Sequence, residues 1–76
     1  MSESKWIPFD IEQPDSYGEY LISWYAILGG KRTTSFIEIA EYDDGWIVDH
    51  IIARGYHDVT VTAWLELPDP YKEDAE

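Results

Sequence analysis

The stretch VTVTAWLELPDP, residues 59–70, decides the fold of this chain. Its β-branched, small and large residues alternate, which is typical of a strand with two different faces. Pro68 and Pro70 then end the strand, because proline has no N–H to donate to a neighbouring strand. We therefore place one strand at residues 59–67 and work outward from it.

Three earlier segments have the same character. Residues 35–42 and 46–52 are predicted strands joined by Asp43-Asp44-Gly45, because an Asp-Gly pair tolerates the positive φ angles of a tight hairpin turn. Residues 19–28 form the longest predicted strand, and a hairpin loop follows at 29–34. Both faces of that strand are apolar, which favours either a central strand or a face used for contact. One face carries Tyr20, Ile22, Trp24 and Ala26, and the other carries Leu21, Ser23, Tyr25 and Ile27.

These segments predict an all-β protein, a small antiparallel meander of about four strands. An apolar segment, WIPF at residues 6–9, would anchor the N-terminus, and residues 10–18 are rich in turn-forming residues. Since no helix is predicted, the sheet must curl into a half-barrel or small sandwich, or be covered by the N-terminal segment. We expect one domain over residues 1–76, with mobile ends at 1–5 and 71–76. A dimer that uses the second apolar face is the alternative.

Aromatic side chains must supply most of the stability. The chain has 76 residues and no cysteine, so no disulfide or thiolate-bound metal can support a small core. Four Trp, six Tyr and two Phe compensate, because each can bury roughly 150–250 Å².

The charge is strongly unbalanced. Sixteen acidic residues against five basic ones give a formal net charge of −11. This field repels nucleic acid and anionic membranes and attracts basic proteins. No apolar run approaches the ~20 residues of a membrane span, and residues 1–5 do not resemble a signal peptide. We expect a cytoplasmic protein.

Catalytic or ligand-binding arrangements are weak in this sequence. Asp49-His50 and His57-Asp58 flank one connection and could form a metal site or an acid–base pair, although their spacing matches no standard zinc pattern. Carboxylate pairs such as Glu38 and Glu41 could act in acid–base catalysis, but solvated surface charge is the simpler interpretation. Gly29-Gly30 followed by two basic residues could hold a phosphate, but the rest of a P-loop is missing. We predict no enzyme, no cofactor and no metal.

The aromatic residues could also form a stacking platform for single-stranded nucleic acid, which would need basic surroundings that this chain lacks. The core is the expected place for most of them. Tyr25 and Tyr56 are the two that we place outside, as contact residues for a protein partner, since tyrosine is enriched at interfaces.

Several short blocks of the sequence form a recognisable series: Trp6-Ile7-Pro8, Pro14, Gly18, Ile39-Ala40, Tyr42, Gly45-Trp46 and the stretch 61–70. This series resembles the phage and prophage family called domain of unknown function 551. The chain departs from the family where Ala63 stands in place of the usual His and where Leu65-Glu66 replaces Met-Pro. The resemblance implies a phage origin and no particular reaction. If a phage encodes the protein, we expect it in the host cytoplasm.

Together these features predict a small acidic interaction protein that binds and blocks a basic host protein. The expected target is a defence nuclease or its nucleic-acid-binding surface, as for anti-CRISPR or anti-restriction inhibitors, with carboxylates imitating a nucleic-acid backbone. The alternative is a self-associating phage accessory or structural module, so that the protein would be a monomer or a homodimer. The predicted partner-binding residues are Glu38, Glu41, Asp43, Asp44, Asp49, Asp58, Tyr25 and Tyr56.

Overall fold

One antiparallel sheet of six strands is the frame of residues 5–68, the part of the chain that the computed structural model describes. The predicted mobile ends, apart from Lys5, and the Asp-Pro that follows Pro68 lie outside the described residues. The elements in chain order are β1 (Ile7–Pro8), β2 (Gly18–Leu28), β3 (Lys31–Arg32), β4 (Phe36–Tyr42), β5 (Trp46–Ile47), a short helix α1 (Asp49–Ile52) and β6 (His57–Glu66).

The strands lie side by side in the order β1-β6-β2-β4-β5, and β3 pairs with the end of β2. The sheet is open and does not close into a barrel. The prediction of an all-β, antiparallel fold is therefore confirmed, and the N-terminal anchor is β1, which pairs with β6 at Ile7 and Pro8. The central strand is β2, which pairs with β6 on one side and with β4 on the other.

A change of register inside the β2–β4 hairpin sets which side chains face the core. Gly29 and Gly30 turn the chain with φ angles of 58° and 79°. Paired residue numbers add up to 59 between β2 and β3, but to 60 between β2 and β4. The extra residue lies around Thr33, whose hydroxyl accepts a hydrogen bond from the Ala26 N–H at 3.1 Å. Because side chains alternate along a strand, this shift moves every side chain of β4 to the opposite face.

The core lies on one face of the sheet, which we call the core face. It is built on the side of β2 that the sequence predicts to be buried, together with side chains from β4, β6 and α1. Aromatic rings in this layer pack edge to face or at a tilt; the Tyr20 and Trp64 rings, for example, are edge to face with centroids 5.1 Å apart. The buried hydrophobic residues are Tyr20, Ile22, Trp24, Ala26, Ala40, Ile51 and Trp64.

Two connections cross the core face and cover it. The first, residues 9–17, is held by the Trp64 indole N–H, which donates to the Glu12 carbonyl at 2.9 Å, and by the Tyr20 hydroxyl, which donates to the Ser16 carbonyl at 2.8 Å. The second runs from β5 through α1 to Tyr56 and inserts the fully buried Ile51. The sheet therefore needs no second sheet to bury its core.

The prediction of a third strand over residues 46–52 is wrong beyond Ile47. The chain leaves the sheet there and forms one helical turn, in which the Val48 carbonyl accepts hydrogen bonds from the N–H groups of Ile51 and Ile52. The physical reason is topological: β5 lies beside β4, whereas β6 lies on the far side of β2. A straight strand could not carry the chain over the core between these two positions.

Candidate protein-binding surface

The face opposite the core has an apolar centre that no connection within residues 5–68 covers. Its middle row is β2, where Leu21 lies between Ile39 of β4 and Leu65 of β6. Ile37 is 63% exposed and Ile39 is 49% exposed, although both are large and apolar. We call this surface the open face, and its central residues are Leu21, Ser23, Tyr25, Ile37, Ile39, Ala63 and Leu65.

The middle of the open face is lower than its surroundings, because the side chains there are small. Ser23 and Ala63 are cross-strand partners there, and both side chains are small. The larger side chains of Leu21 and Leu65 stand on one side of them, and Ile37 lies beside Ser23 on β4. A large side chain from a partner would find room above the Ser23–Ala63 pair.

One end of the open face is acidic. Glu19 and Glu41 lie directly opposite each other on β2 and β4, and both are exposed. Asp43 and Asp44 follow in the turn after β4, where the positive φ of Asp44 (60°) and Gly45 (146°) closes the hairpin. Within residues 5–68, the two ion pairs found both involve Glu38, so none neutralises these four carboxylates. We call Glu19, Glu41, Asp43 and Asp44 the acidic end.

The other end of the open face is basic. The Arg32 guanidinium stacks over the Tyr25 ring at 3.8 Å from the ring centroid, a cation–π contact. Lys31 is paired with Leu28, which is on the core-face side of β2, so the Lys31 side chain is not part of the open face. Since strands rise about 3.3 Å per residue, the six residues from Glu19 to Tyr25 separate the two ends by about 20 Å.

Glu38, a predicted partner-binding residue, is engaged within the protein. Its side chain is on the core face of β4, where Arg54 Nη2 donates to its Oε1 at 2.8 Å. The His50 Nε2 atom lies 3.6 Å from the other carboxylate oxygen and 3.0 Å from the Ile39 carbonyl oxygen. These contacts fasten the α1 segment to the edge of β4.

The remaining predicted site residues are not gathered into one surface. Asp49 is exposed at the start of α1, and Asp58 lies near the beginning of β6, at the basic end of the sheet. Tyr56 is half-buried, with its ring 5.1 Å from Trp24 and 5.9 Å from Phe36. Of the eight residues predicted from the sequence, the structure thus brings together Glu41, Asp43 and Asp44 and separates them from Tyr25 by the length of the face.

Glu19 was missed as a site residue, and only the register could have revealed it. The hydrophobic pattern places it at the start of β2, but the turn at Gly29-Gly30 alone would pair it with Ala40 rather than with Glu41. The open-face isoleucines Ile37 and Ile39 were missed for the same reason.

Two depressions lie along β4. One, of about 370 Å³, has an aromatic floor of Trp24, Phe36 and Tyr56, and the Glu38–Arg54 ion pair lies at its rim. The other, of about 290 Å³, is next to the acidic end and is lined by Glu19, Ile39, Ala40, Glu41, Ile47 and His50.

The two histidines do not form a joint site. His50 contacts β4, whereas His57 of β6 pairs with Ile27 of β2. Among residues 5–68, no group of three or more His, Asp or Glu side chains could hold a metal ion. In the same part of the chain, no helix has the length and apolar character needed to cross a membrane.

Comparison with known proteins gave no match to a family model, a curated protein or a solved structure. The resemblance to the domain of unknown function 551 family therefore stays a prediction from the sequence.

Proposed function

We propose that this protein is a non-enzymatic interaction protein that binds a basic partner protein through the open face and its acidic end. The observation that carries the proposal is the Glu19–Glu41 pair. Like charges directly opposite each other in a sheet destabilise the fold, and no basic side chain in residues 5–68 forms an ion pair with either carboxylate. This loss of fold stability would be offset when cationic groups of a partner bind the two carboxylates.

The apolar centre beside these carboxylates supports the same proposal. Interfaces combine an apolar middle with a polar rim, and exposed apolar patches on small soluble proteins mark interaction sites. In contrast to a purely acidic surface, such a face can supply affinity as well as steering, because burial of Ile37 and Ile39 contributes roughly 25 cal/mol per Å².

A host defence nuclease, or another nucleic-acid-binding protein of the host, remains the proposed partner. The support is the charge of −11 and the phage-like sequence blocks, and the partner's groove would be rich in Arg and Lys. The four carboxylates of the acidic end would occupy the positions of phosphates in that groove.

The test is affinity capture from bacterial lysate with three forms of the protein: the wild type, the Glu19→Lys/Glu41→Lys variant and a Glu12→Lys/Asp15→Lys control. Both variants change the net charge by the same amount, but Glu12 and Asp15 lie on the connection across the core face. Lys opposite Lys repels as Glu opposite Glu does, so the fold is expected to persist.

We expect a basic protein to be retained by the wild type and the control, to be lost with the Glu19→Lys/Glu41→Lys variant, and to elute with added salt. Equal retention by all three forms, at low and high salt, would contradict the proposal.

A further inference from the structure

We infer that the element of the partner that binds the open face is a single cationic amphipathic helix of about 14 residues, lying along β2. This inference rests on the proposed function and adds the shape and charge pattern of the bound segment. It is drawn from the dimensions of the face, its relief and the charges at its two ends.

The dimensions fit one helix. The apolar centre is about 20 Å long between its charged ends and three strands wide, or about 14 Å at 4.7–4.9 Å per strand spacing. A helix of about 14 residues is about 21 Å long and 10–12 Å in diameter with its side chains. Its apolar stripe at i, i+3, i+4 and i+7 would run over Leu21, Ser23 and Tyr25 along β2. Ile39 and Leu65 would flank the helix on either side of Leu21.

The open face has a depression with room for one large side chain of that stripe. The small side chains of Ser23 and Ala63 form the low point, and the aliphatic side chains of Leu21, Leu65 and Ile37 surround it. Hot spots of binding are large side chains that fill such central pockets. A Leu or Phe near the middle of the helix would occupy it.

The charges fix the pattern at the helix ends. Lys or Arg side chains belong over Glu19 and Glu41, and neutral or acidic ones belong over Arg32. A second copy of the chain fits less well. Its net charge of −11 repels another copy.

The experiment uses the full chain and a synthetic, fluorescein-labelled 14-residue peptide with an apolar stripe of leucines and two lysines at one end. A control peptide has the same composition in an order that abolishes the stripe. Fluorescence anisotropy is measured with the wild type, the Ile39→Glu variant and the Ile11→Glu variant. Ile11 is a matched control, because it is 77% exposed but lies on the connection across the core face.

We expect the striped peptide to bind the wild type and the Ile11→Glu variant at least tenfold more tightly than the control peptide does. The Ile39→Glu variant should bind the striped peptide at least tenfold more weakly than the wild type does. Amide NMR shifts should change at Leu21, Ser23 and Ile39 and not at Ile11. Equal binding of both peptides, or equal loss in both Ile variants, would overturn the helix inference.

If the helix inference fails, the lysate experiment with the Glu19→Lys/Glu41→Lys variant can still succeed. Failure of the helix inference and failure of the proposed function are therefore distinguishable. Sedimentation of the wild type without peptide provides a further check. A stable dimer that Ile39→Glu converts to monomer, while Ile11→Glu does not, would also overturn the inference, because a second copy would then be the occupant.

Discussion

Glu19 and Glu41 face each other across the central pair of strands, on the face of the sheet that carries no core. The two carboxylates lie beside Leu21 and Ile39, so an unfavourable electrostatic contact adjoins an exposed apolar surface. Neither feature stabilises the isolated chain. Both are suited to contact with another molecule.

The first prediction concerns this pair. Glu41→Lys converts repulsion into attraction between opposite charges, so we expect the free energy of unfolding to rise by about 0.2–1 kcal/mol. Urea denaturation measures it, with Glu12→Lys as a control of equal charge change. A gain as large in the control would show that only the net charge matters.

The second prediction concerns the residue that α1 inserts into the core. Ile51 is fully buried, so Ile51→Ala should lower the free energy of unfolding by about 2–5 kcal/mol. Ile52→Ala, one residue further and 49% exposed, should change it by no more than about 0.5 kcal/mol. Thermal and urea unfolding compare the two. Similar losses would mean that α1 does not cover the core.

The third prediction tests the register change. Thr33→Val removes the hydroxyl that accepts the N–H of the buried Ala26, so it should cost about 1–3 kcal/mol. Thr33→Ser keeps the acceptor and should behave more like the wild type. Amide hydrogen exchange at Ala26 provides a second measurement, with faster exchange expected only in the Val variant. Unchanged protection in that variant would contradict the role of Thr33.

The fourth prediction compares two buried tryptophans. Trp64 and Trp24 are 4% and 2% exposed, but only the indole N–H of Trp64 has a hydrogen-bond acceptor among the described residues. The variants Trp64→Phe and Trp24→Phe remove the same ring volume. We expect Trp64→Phe to cost about 1 kcal/mol more than Trp24→Phe, because it also releases the Glu12 carbonyl. The reverse order in denaturation experiments would contradict this assignment.

The sequence predicted the strands well where periodicity and turn chemistry agree. The alternation in β2 identified Tyr20, Ile22, Trp24 and Ala26 as one face, and the structure buries all four. The Asp-Gly turn also lies where it was predicted, between β4 and β5.

What the sequence could not supply were relationships that depend on more than one segment. The extra residue at Thr33 is invisible to periodicity, yet it decides that Ile37 and Ile39 are exposed. Similarly, VDHII at residues 48–52 is compatible with a strand, and only the need to cross the core makes it a helical turn. The acidic surface was therefore predicted in part, through Glu41, Asp43 and Asp44, whereas its partner Glu19 required the register.

The outer edge of β4 has a consequence for handling the protein. β5 pairs with β4 only at Glu41 and Tyr42, so no described strand pairs with the outer edge of residues 36–40, next to two exposed isoleucines. His50 contacts this edge at the Ile39 carbonyl, but a strand edge that is covered only by side chains is still a template for fibril growth. At neutral pH the shared negative charge keeps copies apart, but that charge vanishes near the isoelectric point of about 4.2. We expect turbidity and thioflavin-positive aggregates there, and Ile37→Lys should suppress them.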